Sequence, residues 1–298
     1  MFYHYFLFYS TTNWVFLGTN DSLFITALEI FFTEVYKFLD TKIQPENSLL
    51  YCAIIMAFFT REIIYVYAPS IAFSFFLLYK NNYNFTINIR TPIILTDALI
   101  VLNIPSLLTN HQRSYDNKIP PTNVKSSWSQ RQYLAQLMVN NGTLPNGSHS
   151  SWQQTDLHLE KNGFNSLPNS SLKSVHYDLK LTVKEFFKNF STVIFLSIRQ
   201  FGLIIPLSIL FLFISVYKKQ LDYLLYLPFI LFLMIAILSF IIISYVETRW
   251  LVPVFIMAIF FYSNLEIKYK LPKTMFLLNN LVFLFALLYG TYRVILKF

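Results

Sequence analysis

YLLYLPFILFLMIAILSFIIISY, residues 223–245, carries no charged side chain over a length that crosses a bilayer as a helix. Val246 follows, then Glu247-Thr248-Arg249-Trp250, and Leu251-Val252-Pro253 opens a second apolar run that reaches Tyr262. Charges wedged between two apolar runs are costly unless they sit at an interface or in a wet cavity, and either setting makes them functional candidates. The rest of the chain repeats this alternation. Of its 298 residues, 55% are hydrophobic and only 13% charged, with a mean hydropathy of +0.48. Charge this sparse, gathered into short stretches, suits an integral membrane protein better than a soluble domain with a charged shell. The expected fold is an all-α polytopic membrane protein: a helical transmembrane bundle with a small, mainly helical extracytoplasmic subdomain.

Working outward, further apolar segments are Met1–Leu17, Ser22–Leu39, Leu49–Phe59, Ile63–Tyr79, Ile93–Leu108, Thr192–Tyr217 and Met275–Val294. Leu49–Phe59 is too short to span alone at 1.5 Å per residue, and must cross or re-enter despite its length. Met1–Leu17 lacks the basic flank and small-residue cleavage site of a signal peptide. Three regions follow: N-terminal transmembrane helices over 1–108, an extracytoplasmic subdomain over 109–190, and C-terminal transmembrane helices over 191–298. Trp128, Tyr133, Trp152, Tyr177 and interspersed leucines give the polar region enough apolar mass to pack. Ser127–Val139 reads as an amphipathic helix with Tyr133, Leu134, Leu137 and Met138 on one face, and Asn140-Asn141-Gly142 ends it. Ser150–Asn162 reads as a second helix ending at Gly163, and Leu179–Phe190 as a third, lying along the membrane surface.

The net charge of +8 raises the question of a nucleic-acid partner. Lys218, Lys219, Lys268, Lys270 and Lys273 sit in short connections between apolar runs, however, which is the orientation signal of cytoplasmic loops. Topology accounts for them, and no nucleic acid is expected. Placing those lysines in the cytoplasm puts Glu247–Trp250, the polar region, Thr60-Arg61-Glu62 and Asn20-Asp21-Ser22 together on the opposite face. Cys52 is the single cysteine, so intrachain disulfides are excluded.

Each charged position on that face has two readings. Arg249 is either an interfacial anchor, with Trp250 in the aromatic belt and Glu247 as its local partner, or a fork for a lipid-linked phosphate. Arg61 and Glu62 either cap a turn between two short helices or face a cavity. Asp21 either caps the helix starting at Ser22 or supplies a carboxylate. Glu29, Glu34, Asp97 and Arg199 are single charges in apolar runs and receive no role. His111, Arg113, Tyr115 and Asp116 read as a solvated loop, although His111 and Asp116 suit acid–base work. His149, His158 and His176 have no metal-ligand spacing, so no metal or other cofactor is expected. No nucleophile-elbow or glycine-rich phosphate loop is present.

The order of four short elements carries a resemblance. Asn20-Asp21-Ser22-Leu23-Phe24 is similar to a TDALF-type segment, and Ala57-Phe58-Phe59-Thr60-Arg61 to a GLAFLTR element between two short helices. Asn103–Asn110, NIPSLLTN, resembles a PWLLRN helix exit, and Glu247–Pro253, ETRWLVP, resembles an E-x-R-Y-L-x-P element. Together they resemble the GT-C superfamily of polyprenyl-phosphate-sugar-dependent membrane glycosyltransferases, in the branch of dolichyl-phosphate-mannose-protein mannosyltransferase-like proteins (glycosyltransferase family 39).

The resemblance implies transfer of a sugar from a polyprenyl-phosphate donor to an extracytoplasmic glycan, lipid or protein acceptor of the cell envelope. The protein would sit in the plasma (inner) membrane. Arg61 and Arg249 would bind the lipid phosphate, Asp21 would be the catalytic carboxylate, and Glu62, Glu247 and Trp250 would support them. Family members carry an acidic pair in an early outer loop, whereas Met1–Asn20 contains neither Asp nor Glu. The chain is therefore expected to be an N-terminally incomplete or inactive member, or one in which Asp21 has taken the base's role. The alternative is a non-catalytic membrane protein that binds or exports lipid-linked saccharide precursors.

Overall fold

The computed structural model describes residues 20–44, 47–85, 88–110, 120–121, 123–220, 223–241, 246–268 and 272–295. All regular structure among them is helical. Four helical stretches are long and apolar enough to cross a membrane: Arg90–Thr109, Tyr223–Phe240, Arg249–Ile267 and Lys273–Tyr292. Met1–Leu17 and His111–Asp116 lie outside the described residues.

The chain divides into two compact units. The first comprises Met1–Tyr115, Ile194–Met234 and Thr248–Phe298. Its centre is α1 (Asn20–Thr41), in which Phe24, Leu28, Phe31, Phe32, Val35 and Leu39 are buried. Helices α2 (Asn47–Thr60) and α3 (Ile64–Lys80) pack on α1, and α4 (Arg90–Asn110) packs on α2. The expected pair of short helices is present. Its turn falls at Arg61 and Glu62, which leave the helical path just after Thr60, whose hydroxyl donates back to the Met56 carbonyl at 2.8 Å.

Leu179–Phe190 does not form a separate helix. It continues without interruption as α8 (Leu179–Phe201), because Asn189–Thr192 contains neither glycine nor proline. The break falls at Gly202, whose φ of 63° is left-handed and ends the helix. There the Leu203 N–H donates to Asn279 Oδ1 at 2.7 Å, and a Cβ on residue 202 would lie 2.6 Å from that same oxygen. Helix α9 (Ile204–Tyr217) follows. Beyond it come α10 (Tyr226–Phe240), α11 (Val252–Lys268) and α12 (Lys273–Ile295). Helix α11 packs on α1 and α9. Within the first unit α10 meets α3 through Ser74 and Tyr226, 2.7 Å apart, and Phe73 on Phe229, and meets α9 through Phe213 on Phe232.

The second unit comprises Asp116–Val193 and Ile235–Glu247. Helices α5 (Trp128–Asn140) and α6 (Trp152–Asn162) each begin at a capping box, Ser127 with Gln130 and Ser151 with Gln154. Gly163, at φ 91°, ends α6 as its sequence position suggests. With the short α7 (Ser171–Tyr177) and the first turns of α8, these helices enclose Tyr133, Leu134, Leu159 and Leu167, with Leu137 and Met138 packed alongside. The expected apolar face of α5 is thus the face that packs.

Candidate functional site

Three segments of the first unit meet at one carboxylate. Asp21 lies in the first turn of α1, where the helix dipole favours negative charge. Arg61, in the α2–α3 turn, places Nη1 3.1 Å from Asp21 Oδ1. Arg249 belongs to a 3₁₀ turn, Thr248–Leu251, that interrupts the path into α11, and its Nη1 lies 3.5 Å from Asp21 Oδ2. The Asp21 side chain is 9% exposed, Arg61 13% and Arg249 29%, so the cluster is sunk into the helices but open on the Arg249 side. These three side chains carry one more positive than negative charge.

Tyr67 sets the geometry and is the residue that sequence reasoning missed. Fully buried on α3, it rests edge-on against Phe24, one turn along α1 from Asp21, and donates its hydroxyl to the Trp250 carbonyl at 2.6 Å. One side chain thereby fixes α1, α3 and the arginine-bearing turn to one another. A signal was present: a tyrosine in an apolar helix needs an acceptor for its hydroxyl, and a broken helix supplies backbone carbonyls.

The other expected site residues divide. Trp250 is half-buried and contributes through its backbone carbonyl. Glu62 is half-buried in the same turn as Arg61. Glu247 belongs to the second unit, where its charge acts on His149. Of the single charges given no role, Glu34 lies 3.8 Å from Lys37, Arg199 lies over the Tyr289 ring at 5.8 Å, and Asp97 is exposed on α4. Among the described residues, no three His, Cys, Asp or Glu side chains gather where they could hold a metal.

In the second unit, the Arg131 guanidinium lies over the rings of Trp128 and Trp152, at 5.2 and 4.8 Å, and donates from Nε to the Ser150 carbonyl at 2.6 Å. Desolvation where the His149 ring leans on Trp128 pushes its pKa below the usual imidazole value; Arg131 adds to this and Glu247 opposes it. This arrangement joins the start of α5 to the start of α6.

Chemically, the cluster around Asp21 offers two guanidinium forks, one carboxylate and an opening. Guanidinium forks suit an anion with several oxygens, phosphate above all. Compared with protein-family models, with curated proteins and with solved structures, the chain matches none.

Proposed function

We propose that this protein is a multi-pass membrane glycosyltransferase of the GT-C kind, acting on a polyprenyl-phosphate-linked sugar at the extracytoplasmic face of the plasma (inner) membrane. The observation that carries the reading is the convergence of Arg61 and Arg249, from distant parts of the chain, on one nearly buried acid. A lone membrane-edge arginine is most simply an anchor. Two arginines directed at one carboxylate, among helices apolar enough for lipid, make an anion site beside hydrocarbon. The apolar surface of α3, α9 and α10 suits a polyprenyl tail, and those helices meet through Phe73, Phe229, Phe213 and Phe232.

In the reaction, the acceptor hydroxyl oxygen bonds to the sugar's anomeric carbon as the bond from that carbon to phosphate oxygen breaks. The leaving polyprenyl phosphate takes the electron pair, and Arg61 and Arg249 stabilise the charge that develops on it. The hydroxyl proton passes to Asp21. Both Asp21 oxygens face a guanidinium. Donor phosphate gives the arginines a second acceptor, which frees one carboxylate oxygen for the proton.

That same engagement of both oxygens favours a second reading, in which Asp21 only balances charge and the protein binds or exports the lipid-linked saccharide without transferring it. Donor binding and sugar transfer by the purified full chain separate the two. The transferase reading expects Arg249→Ala to lose donor binding and Asp21→Asn to keep binding and lose transfer. Donor binding without turnover in the wild type establishes the second reading. Wild-type protein that neither binds nor turns over donor overturns both.

A further inference from the structure

We propose that the outer band of α8 docks the second unit onto a bilayer surface that presents anionic phospholipid headgroups. At 100° per residue, the part of α8 within this unit divides into three bands. Thr182, Glu185, Asn189 and Val193 share one sector and are buried. Leu179, Val183 and Phe187 form a second row, 62%, 52% and 64% exposed. Lys180, Lys184 and Lys188 form the third, bordering the apolar row on one side.

A helix that only covers a core shows polar residues across its outer surface. Half of the outer surface here is apolar, in a straight row, with lysines along one border. That is the pattern of a helix at a lipid–water boundary: apolar side chains enter the acyl edge while lysine stems lie along it and their ammonium groups reach the headgroups. Charge selects the headgroup. The one carboxylate of this stretch, Glu185, turns inward to accept from Gln136 Nε2 at 2.9 Å and Asn140 Nδ2 at 2.8 Å, so the outer surface carries lysines alone. A soluble polyanion would satisfy the lysines and leave Leu179, Val183 and Phe187 in water, whereas a bilayer takes both rows. This inference does not depend on sugar transfer.

The test uses the full chain with Cys52→Ser and a bimane on Val183→Cys, or on Leu157→Cys as a reference at another exposed position, 64% exposed on α6. Each is reconstituted into phosphatidylcholine nanodiscs, or into nanodiscs with an equal part of phosphatidylglycerol, containing chain-nitroxide lipid as quencher. Lipid quenching at position 183 is expected to exceed that at 157 and to rise with phosphatidylglycerol. Lys180→Gln with Lys184→Gln should shift the docking equilibrium by about thirtyfold, from the contribution of each lysine near an anionic surface. Lys180→Arg with Lys184→Arg should restore it. Lys188 is left in place because it also contacts Glu185 and Asn140. Quenching at 183 no greater than at 157, quenching indifferent to headgroup charge, or loss of docking in the arginine variant overturns the proposal.

Discussion

Asp21 and Glu185 are both carboxylates that the helices take out of water, and their surroundings differ in kind. Glu185, its side chain 1% exposed, is held by two neutral amides, Gln136 and Asn140, with Lys188 at 3.5 Å. Asp21 is held by two guanidinium groups, one of them 29% exposed. Amides satisfy a carboxylate's lone pairs without adding charge, and a single lysine balances it, so the Glu185 cluster is electrically closed. Asp21 instead has charged partners from two distant segments, and one of them, Arg249, reaches solvent. The Glu185 cluster fixes helix α8 against α5, and the Asp21 cluster is the one to which the proposed function assigns an anion. Burial alone therefore does not distinguish the two acids; the kind and number of their partners does.

The largest expected effect tests whether the two clusters differ as described. Asp21→Ala removes the carboxylate shared by two sunken guanidinium groups and should cost about 3–5 kcal/mol, less whatever solvent recovers at Arg249, measured by denaturant or thermal unfolding of the purified protein. Next, a saturating phosphate amphiphile should stabilise the wild type by about 2–3 kcal/mol at a hundredfold excess over its Kd, read as a rise in Tm. The Arg61→Ala, Arg249→Ala double variant should show none of that rise, whereas Glu185→Gln should retain it in full. Glu185→Gln itself keeps the shape, removes the charge and should cost about 1–2 kcal/mol. A Glu185→Gln protein that lost the phosphate response would break the contrast between the clusters.

The smallest effect is a pH dependence in the second unit. Because the folded protein lowers the His149 pKa, the unfolded chain takes up the proton first as pH falls. Stability should therefore decline below about pH 6.5, the free imidazole value, and level off under the lower folded value, with no contribution from His149 above that window. His149→Gln should flatten this part of the profile. A slope that survives the substitution would assign the titration elsewhere.

Much of the local structure was legible in the sequence because it is decided locally. Ser127 and Gln130, or Ser151 and Gln154, stand three apart and close their own capping boxes, and Gly163 supplies the conformation that ends α6. The α8 boundary was misplaced because a change from polar to apolar composition at Thr192 looks like an element boundary, whereas only Gly202 supplies a physical stop. For the site, Asp21, Arg61 and Arg249 stood out as charges beside hydrocarbon. That both arginines choose the same acid, 228 positions from one of them, and that Tyr67 clamps their segments, depends on packing that no local pattern encodes.

The apolar runs at 249–267 and 273–292 make the division plain. By itself the sequence marked an apolar run in each, Leu251–Tyr262 and Met275–Val294, because side-chain transfer energies are properties of the segment, and the folded helices extend these to lengths that can cross a membrane. Which of them packs against other helices was decided only by the tertiary structure: 72% of the first window is buried and 6% of the second. Side chains that prefer hydrocarbon to water accept a neighbouring helix or a lipid chain almost equally, so hydropathy sets the solvent a segment avoids and shape complementarity sets the partner it keeps.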